Sequence, residues 1–282
     1  MKIGFVSLGL IGGSVAMALR ENYPEARIVA YNRSKEPLDA ALSDGVIDTG
    51  VQEIDDSFSG CDYIFLCAPV ETNISFIPRL LPYITEDTVL TDVGSTKGNI
   101  HEAMKRLAPD VHFIGGHPMA GKEKSSYFNA SGELIDGCYY FLTPSEAVTD
   151  EEVSDFEKLI SSLGCHPITV QPDRHDFIVG AISHVPHMAA YSLVKLVQDE
   201  DTPEEYMRVT AAGGFRDITR VASSDPTMWE EICIANRDNI TKLMDIYIDK
   251  LREVREHIAA GEGEALYDIF KGAKEYRDSM LK

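Results

Sequence analysis

Two hydrophobic rhythms divide the chain. Through residues 1–170, short apolar runs rich in Val, Ile, Phe and Tyr alternate with amphipathic stretches, the pattern of βα units laid on a parallel sheet. The runs predict strands over 2–6, 27–31, 63–67, 89–92, 112–115, 139–142 and 166–170. Between them, apolar residues recur at helical spacing over 11–20, 73–81, 100–107 and 151–163. From Asp173 onward the strand signals stop and helical patterns take over, at 173–198, 203–211, 226–260 and 264–280. The expected fold class is therefore α/β: a doubly wound parallel sheet over residues 1–171, then an all-helical domain over 172–282. The apolar face carrying Ile240, Leu243, Met244, Tyr247 and Leu251 suits either a domain core or a helical dimer interface.

The first predicted strand runs into SLGLIGGS, residues 7–14. A dinucleotide turn needs small residues there, because the backbone bends sharply, approaches a pyrophosphate closely and then packs a helix whose first amides face the phosphates. Gly9, Leu10, Ile11 and Gly12, followed by Gly13, fit that role in a Rossmann-type first unit. Ser7 departs from it, standing where the first glycine of GxGxxG exploits freedom at positive φ. At the end of the second strand, an acidic residue would accept hydrogen bonds from the ribose of NAD. Asn32, Arg33 and Ser34 stand there instead, and a guanidinium beside an amide and a hydroxyl suits a 2′-phosphate. The cofactor expected is NADP in preference to NAD.

Composition narrows the partners. The formal net charge of −20 argues against nucleic acid and anionic membranes, so a small anionic substrate must be drawn in by local Arg, Lys and His. The five cysteines are scattered and never in CxxC spacing, which argues against a disulfide framework or zinc knuckle and fits a reducing cytoplasm. No cleavage site follows the apolar N-terminus and no stretch is expected to span a membrane, so a soluble, unprocessed chain is expected.

The candidate chemistry lies at the carboxyl ends of the strands, the edge where such sheets bind ligands. CAPVETN puts Ala68 and Pro69 at that edge, and TDVGSTKGN adds Asp92, Ser95 and Lys97, the lysine serving there or as an ordinary surface residue at a helix start. GGHPMAGKEKSS places His117 just past the fifth strand, between small residues that permit close approach; its intrinsic pKa near neutrality suits a general base. In the helical half, AISHVPHMAAYS carries His184 and His187, and AAGGFRDITRVASSDPTMW carries Arg216, Arg220 and Trp229. Without an HExxH pattern or a carboxylate partner, no metal is expected. A histidine and an arginine holding an anionic substrate against the nicotinamide is the more economical reading. Trp229 suits core packing equally well.

Taken in order, the glycine turn, DVGSTK, GGHPMAG, SHVPH and GGFRDITR…DPTMW resemble the prephenate and arogenate dehydrogenase family of tyrosine biosynthesis over nearly the whole chain. The resemblance implies a Rossmann domain, a helical dimerisation domain and a homodimer. It also implies oxidation of a cyclohexadienol with loss of carbon dioxide. It makes His117 the catalytic base on the ring hydroxyl and Ser95 the residue that positions base and hydroxyl. Ser183 and His187 become substrate contacts, Arg220 the ligand of a substrate carboxylate, Glu123 an acid at the pocket mouth, and Trp229 a residue near the partner subunit's site. Lys122 stands where other members differ; pointing inward, it would disfavour the ammonium of arogenate. The expected reaction is oxidation of prephenate to 4-hydroxyphenylpyruvate with hydride transfer to NAD(P). Three alternatives are arogenate dehydrogenase, a β-hydroxyacid or imine reductase, whose lysine or aspartate is replaced here by SHVPH, and a non-catalytic NAD(P)-binding redox sensor.

Overall fold

The computed structural model describes residues 1–122 and 126–280. Its sheet comprises β1 (Lys2–Val6), β2 (Arg27–Tyr31), β3 (Thr49–Val51), β4 (Tyr63–Leu66), β5 (Val89–Asp92), β6 (Phe113–Pro118), β7 (Tyr139–Pro144) and β8 (His166–Thr169), in the order β3-β2-β1-β4-β5-β6-β7-β8. Alternation along each strand decides what it buries. Ile3, Phe5, Ile28, Ala30 and Phe65 enter one apolar cluster, while Val6, Val29, Tyr31, Ile64 and Leu66 enter another. Both faces are covered, which is why these strands read as nearly continuous apolar runs. The covering helices of this part are α1 (Leu10–Asn22), α2 (Lys35–Ser43), α3 (Val70–Leu80), α4 (Gly98–Leu107) and α5 (Asp150–Ser162). Strand order reverses between β1 and β4, opening the crevice that binds ligands in doubly wound sheets.

Three features of this part depart from the predicted pattern. β3 and α2 occupy a stretch with no predicted element; three residues, Thr49 to Val51, are too short to show a period. β7 pairs antiparallel with β6, a direction that periodicity does not encode. β6 also continues to Pro118, so His117 lies within a strand, opposite Phe141, rather than beyond it.

After β8 the chain is helical: α6 (Pro172–Val179), α7 (Val185–Glu200), α8 (Tyr206–Thr210), α9 (Gly213–Thr219), α10 (Pro226–Ala235), α11 (Arg237–Ala260) and α12 (Gly263–Ser279). A π turn, Gly180–His184, joins α6 to α7, with the Val185 N–H donating to the Gly180 carbonyl five residues back. Pro186 follows at once. It has no N–H to continue the ladder and its ring crowds the preceding turn, so the wider turn accommodates it. The predicted 226–260 helix is broken at Asn236, where the backbone leaves helical geometry at φ −110°, ψ 26°.

The run Pro172–Glu200 corrects one expectation, since its 29 residues and mean hydropathy of 1.3 make it long and apolar enough to cross a membrane by length and composition. Residues 177–194 contain no Asp, Glu, Lys or Arg, and the two histidines there had masked how apolar the stretch is. Part of the run, with His175, Val179, His184, Val185 and Ala190, is buried in the protein, although only 28% of the apolar window is.

The residues group into two compact units, Met1–Asn236 and Arg237–Lys282. The first holds the sheet and α6 to α10, so the change to all-helical structure after Thr169 falls inside it. In the second, α11 packs on α12.

Candidate active site

The cofactor turn is built as its sequence requires. Ser7 takes φ +80°, the left-handed region, while its N–H donates to Tyr31 O at 2.8 Å. Gly9 opens α1, and a Cβ there would meet nothing within 4 Å, leaving the space beside the helix N-terminus open. Gly12 is needed for packing, because a Cβ would lie 2.7 Å from Cys67 Cβ and 2.8 Å from Ser7 O. A cavity of about 680 Å³ gathers Gly9, Leu10, Ile11, Ala68, Pro69 and Ser95 on the sheet side, with Lys122 at its wall and Asp225 to Ala235 residues opposite. The residues present therefore fit a dinucleotide: a helix N-terminus, a bare Cα and two strand ends converge on one hollow.

Asn32 serves the turn itself. Its Oδ1 accepts from the Leu8 N–H at 3.1 Å and its Nδ2 donates to Ser34 O at 3.0 Å, so both ends of the amide are engaged within the protein. Arg33 and Ser34 are exposed beside it.

His117 is held from behind by a buried polar frame. Lys97 Nζ pairs with Asp92 Oδ2 and donates to Gly116 O at 2.8 Å, while Asp92 Oδ1 accepts from the Gly116 N–H at 3.1 Å. Both charged side chains are fully buried, and each finds its partners there, as a buried pair requires. The surface-lysine reading of Lys97 is thus corrected. The backbone just before His117 cannot shift without breaking this frame. His117 Nδ1 lies 2.9 Å from His175 Nε2, and His175 Nδ1 lies 2.8 Å from Asp176 Oδ1. Asp176 also accepts from the Lys97 and Gly98 N–H groups that open α4, both at 2.8 Å. Burial, then the neighbouring His175, Lys97 and His184, pushes the His117 imidazole well below its usual range, so it is neutral.

The π turn and α7 supply a second cluster. His187 Nδ1 lies 2.9 Å from Ser183 O and its ring stacks on Trp229 of α10, centroids 3.5 Å apart. Trp229 is buried, which meets the packing reading, yet its indole Nε1 finds no hydrogen-bond partner among the described residues. Behind it, burial lowers His184 to about 4, and its Nδ1 lies 3.1 Å from Asn236 Nδ2. Arg220 is exposed on the short turn Arg220–Ser223, which packs against α7. Among the described residues, His117, His187 and Arg220 do not line the 680 Å³ cavity. Glu123 lies outside the described residues.

Comparison with known proteins decides the family. The prephenate dehydrogenase nucleotide-binding domain matches residues 15–169, and the prephenate dehydrogenase dimerization domain matches residues 171–272. The chain belongs to the prephenate dehydrogenase family. A prephenate dehydrogenase of Bacillus subtilis is 36% identical over 97% of this chain and 74% of its own length. Prephenate dehydrogenase from A. aeolicus, solved in complex with hydroxyphenyl propionate and NAD+, superposes with a TM-score of 0.93 at 31% identity, covering 99% of this chain and 98% of that one. Synechocystis arogenate dehydrogenase gives 0.88 at 28% identity, covering 99% of each. The prephenate dehydrogenase family thus accounts for the mixed sheet followed by helices.

Two polar residues of the site escaped sequence reasoning. His175 and Asp176 stand in the middle of α6, where a histidine and an acid read as ordinary polar positions of a helix. The adjacent His-Asp dipeptide was the only local signal, and its meaning depends on His117, 58 positions away.

Proposed function

We propose that this chain catalyses oxidative decarboxylation of prephenate to 4-hydroxyphenylpyruvate in tyrosine biosynthesis, with His117 as the base. The observation that carries the reading is a neutral histidine at the cofactor edge of the sheet, with Nδ1 occupied by His175 and Nε2 as its remaining nitrogen. The nicotinamide supplies the hydride acceptor. His117 Nε2 takes the ring hydroxyl proton as the carbinol carbon becomes carbonyl-like, which stabilises the charge developing there. Carboxylate loss then moves an electron pair into the ring and onto that oxygen, and the imidazolium returns its proton to give the phenol. Ser95 orients the hydroxyl. Ser183, His187 and Trp229 hold the substrate body, Arg220 pairs with a carboxylate, and Glu123 is the acid that the family resemblance assigns to the pocket mouth. Gly9, Leu10, Ile11, Gly12, Ala68 and Pro69 seat the dinucleotide.

NADP is preferred over NAD in this reading, supported by exposed Arg33 and Ser34 and the absence of an acidic residue after β2. Lys122 at the cavity wall supports prephenate over arogenate, whose ammonium it would repel. Exposed Ile246, Leu251, Ile258, Tyr267 and Phe270 on α11 and α12 support a homodimer, and the unpaired cysteines a cytoplasmic setting. The test mixes purified protein with prephenate or arogenate and NAD or NADP, following reduced-cofactor absorbance. Fastest turnover is expected with prephenate and NADP, falling about 10²-fold or more in His117→Asn. Cofactor binding without turnover of either substrate would overturn the reading. An NAD preference would overturn the cofactor assignment alone.

A further inference from the structure

We infer that His175 and Asp176 are positioning residues that lock His117 into the tautomer with its proton on Nδ1, leaving Nε2 as the bare, basic nitrogen. The inference rests on the reading of His117 as the base. It follows from counting donors along a chain of three side chains. The Asp176 carboxylate accepts from two α4 amides, at Lys97 and Gly98, and is held ionised: burial raises it, and the bonds from His175, Gly98 and Lys97 outweigh that. A carboxylate only accepts, so the nitrogen of His175 facing it, Nδ1 at 2.8 Å, must carry the proton. Burial keeps His175 neutral against the pull of Asp176, so its Nε2 has no proton and can only accept. At 2.9 Å from that acceptor, His117 Nδ1 must donate. His117 is neutral as well, and its single proton is spent there.

The geometry permits no easy escape. His175 is fully buried, with its ring edge-on to Phe141 at a centroid distance of 5.1 Å, and Asp176 is almost as enclosed. The groups facing the pair are Lys97 and Asp92 beside β5 and β6, His101 on α4 and His184 in the π turn. Only Asp92 among them is anionic, and Lys97 Nζ binds it, leaving Asp176 as the carboxylate directly bonded to the chain. When Nε2 takes the hydroxyl proton, the imidazolium of His117 still donates from Nδ1 to His175, and Asp176 stabilises the charge through that ring. No proton need leave the site, so it returns to the phenol oxygen with atoms and charge balanced. The arrangement parallels a triad in which a carboxylate orients a histidine, with one imidazole interposed.

The test reads tautomers directly. Nitrogen-15 correlation spectra of histidine-labelled protein at neutral pH should show His117 and His175 both protonated on Nδ1 only. In Asp176→Asn, the amide oxygen keeps the Gly98 N–H while the NH₂ group takes the Oδ1 position facing His175 and gives up the bond from the Lys97 N–H. The chain then reverses, and His117 should become protonated on Nε2. His175→Phe removes the acceptor and should release His117 from the Nδ1 form. Both variants should bind NADP and unfold cooperatively while kcat falls about 10²-fold or more, approaching the roughly 10⁴-fold loss of a triad histidine held in the wrong tautomer, with KM changed less than threefold. An Nε2-protonated His117 in the wild type would overturn the inference, as would folded variants with wild-type kcat. His117→Asn separates the two claims: wild-type kcat in that variant removes the base assignment, whereas the spectra decide the tautomer lock by themselves.

Discussion

Ser7→Gly should stabilise the protein, although serine offers the turn a side chain and glycine none. Ser7 stands at φ +80°, in the left-handed region where a Cβ crowds the following carbonyl. That crowding costs about 1–2 kcal/mol for an L-residue. Glycine relieves it, but its freer unfolded chain takes back roughly 0.5–1 kcal/mol. The net expectation is about 0.5–1 kcal/mol of added stability, or roughly 1–4 °C in Tm for a chain of this order of size. The hydrogen bonds of the turn, Ser7 N–H to Tyr31 O and Leu8 N–H to Asn32 Oδ1, involve no Ser7 side-chain atom and should persist. Urea unfolding of wild type, Ser7→Gly and Ser7→Ala gives the decisive comparison. Alanine keeps the Cβ and should leave stability within about 0.5 kcal/mol of wild type. A stabilisation by alanine equal to that by glycine would locate the effect in the hydroxyl and refute the backbone argument. A loss of stability in Ser7→Gly would refute it outright.

Other perturbations reach different parts of the site. Lys97→Met leaves the Asp92 carboxylate buried without its cation and should cost about 3–5 kcal/mol in urea unfolding; a loss under about 1 kcal/mol would mean the pair contributes little. His184 is lowered from 6.5 to about 4, first by burial, so its contribution is fully present above pH 6.5 and fades as pH falls toward 4. That contribution is at most about 3 kcal/mol, and His184→Gln should flatten the fall in urea midpoint between pH 7 and 5; an unchanged slope would show that His184 protonates as easily folded as unfolded. Arg220→Ala should raise KM for prephenate about tenfold with kcat nearly unchanged, and an effect on kcat alone would remove its binding role.

Much of this was legible along the chain, and the reasons for the exceptions are physical. Strands β1, β2, β4 and β5 bury both faces, so their apolar runs stand out. The glycine turn was readable even through Ser7, because the positive φ expected of that position is what the serine adopts. A single helix is the expectation over 173–198, since its apolar spacing carries on through SHVPH, and the π turn just ahead of Pro186 interrupts it. The His117 to His175 bond and the His187 to Trp229 stack join residues 58 and 42 positions apart, and no periodicity reports a contact between side chains so separated. Asn32 was legible as a residue at the cofactor edge, but its engagement by Leu8 and Ser34 was not, since both partners are backbone atoms.

Asp176 ties these levels together, and doing so complicates its own test. Through two α4 amides the same carboxylate clamps α6 to the turn after β5, so it serves the junction between sheet and helices as well as the histidine chain. A rate loss in Asp176→Asn would therefore mix two effects, a weakened junction and a reversed tautomer. His175→Phe separates them. It leaves both amide bonds to Asp176 in place and keeps an aromatic ring against Phe141, so stability should change far less than in the asparagine variant. If the junction alone mattered, His175→Phe would keep wild-type kcat while Asp176→Asn lost it. A comparable kcat loss in both, with His117 shifted from the Nδ1-protonated form in both, requires that the effect pass through the imidazole between them.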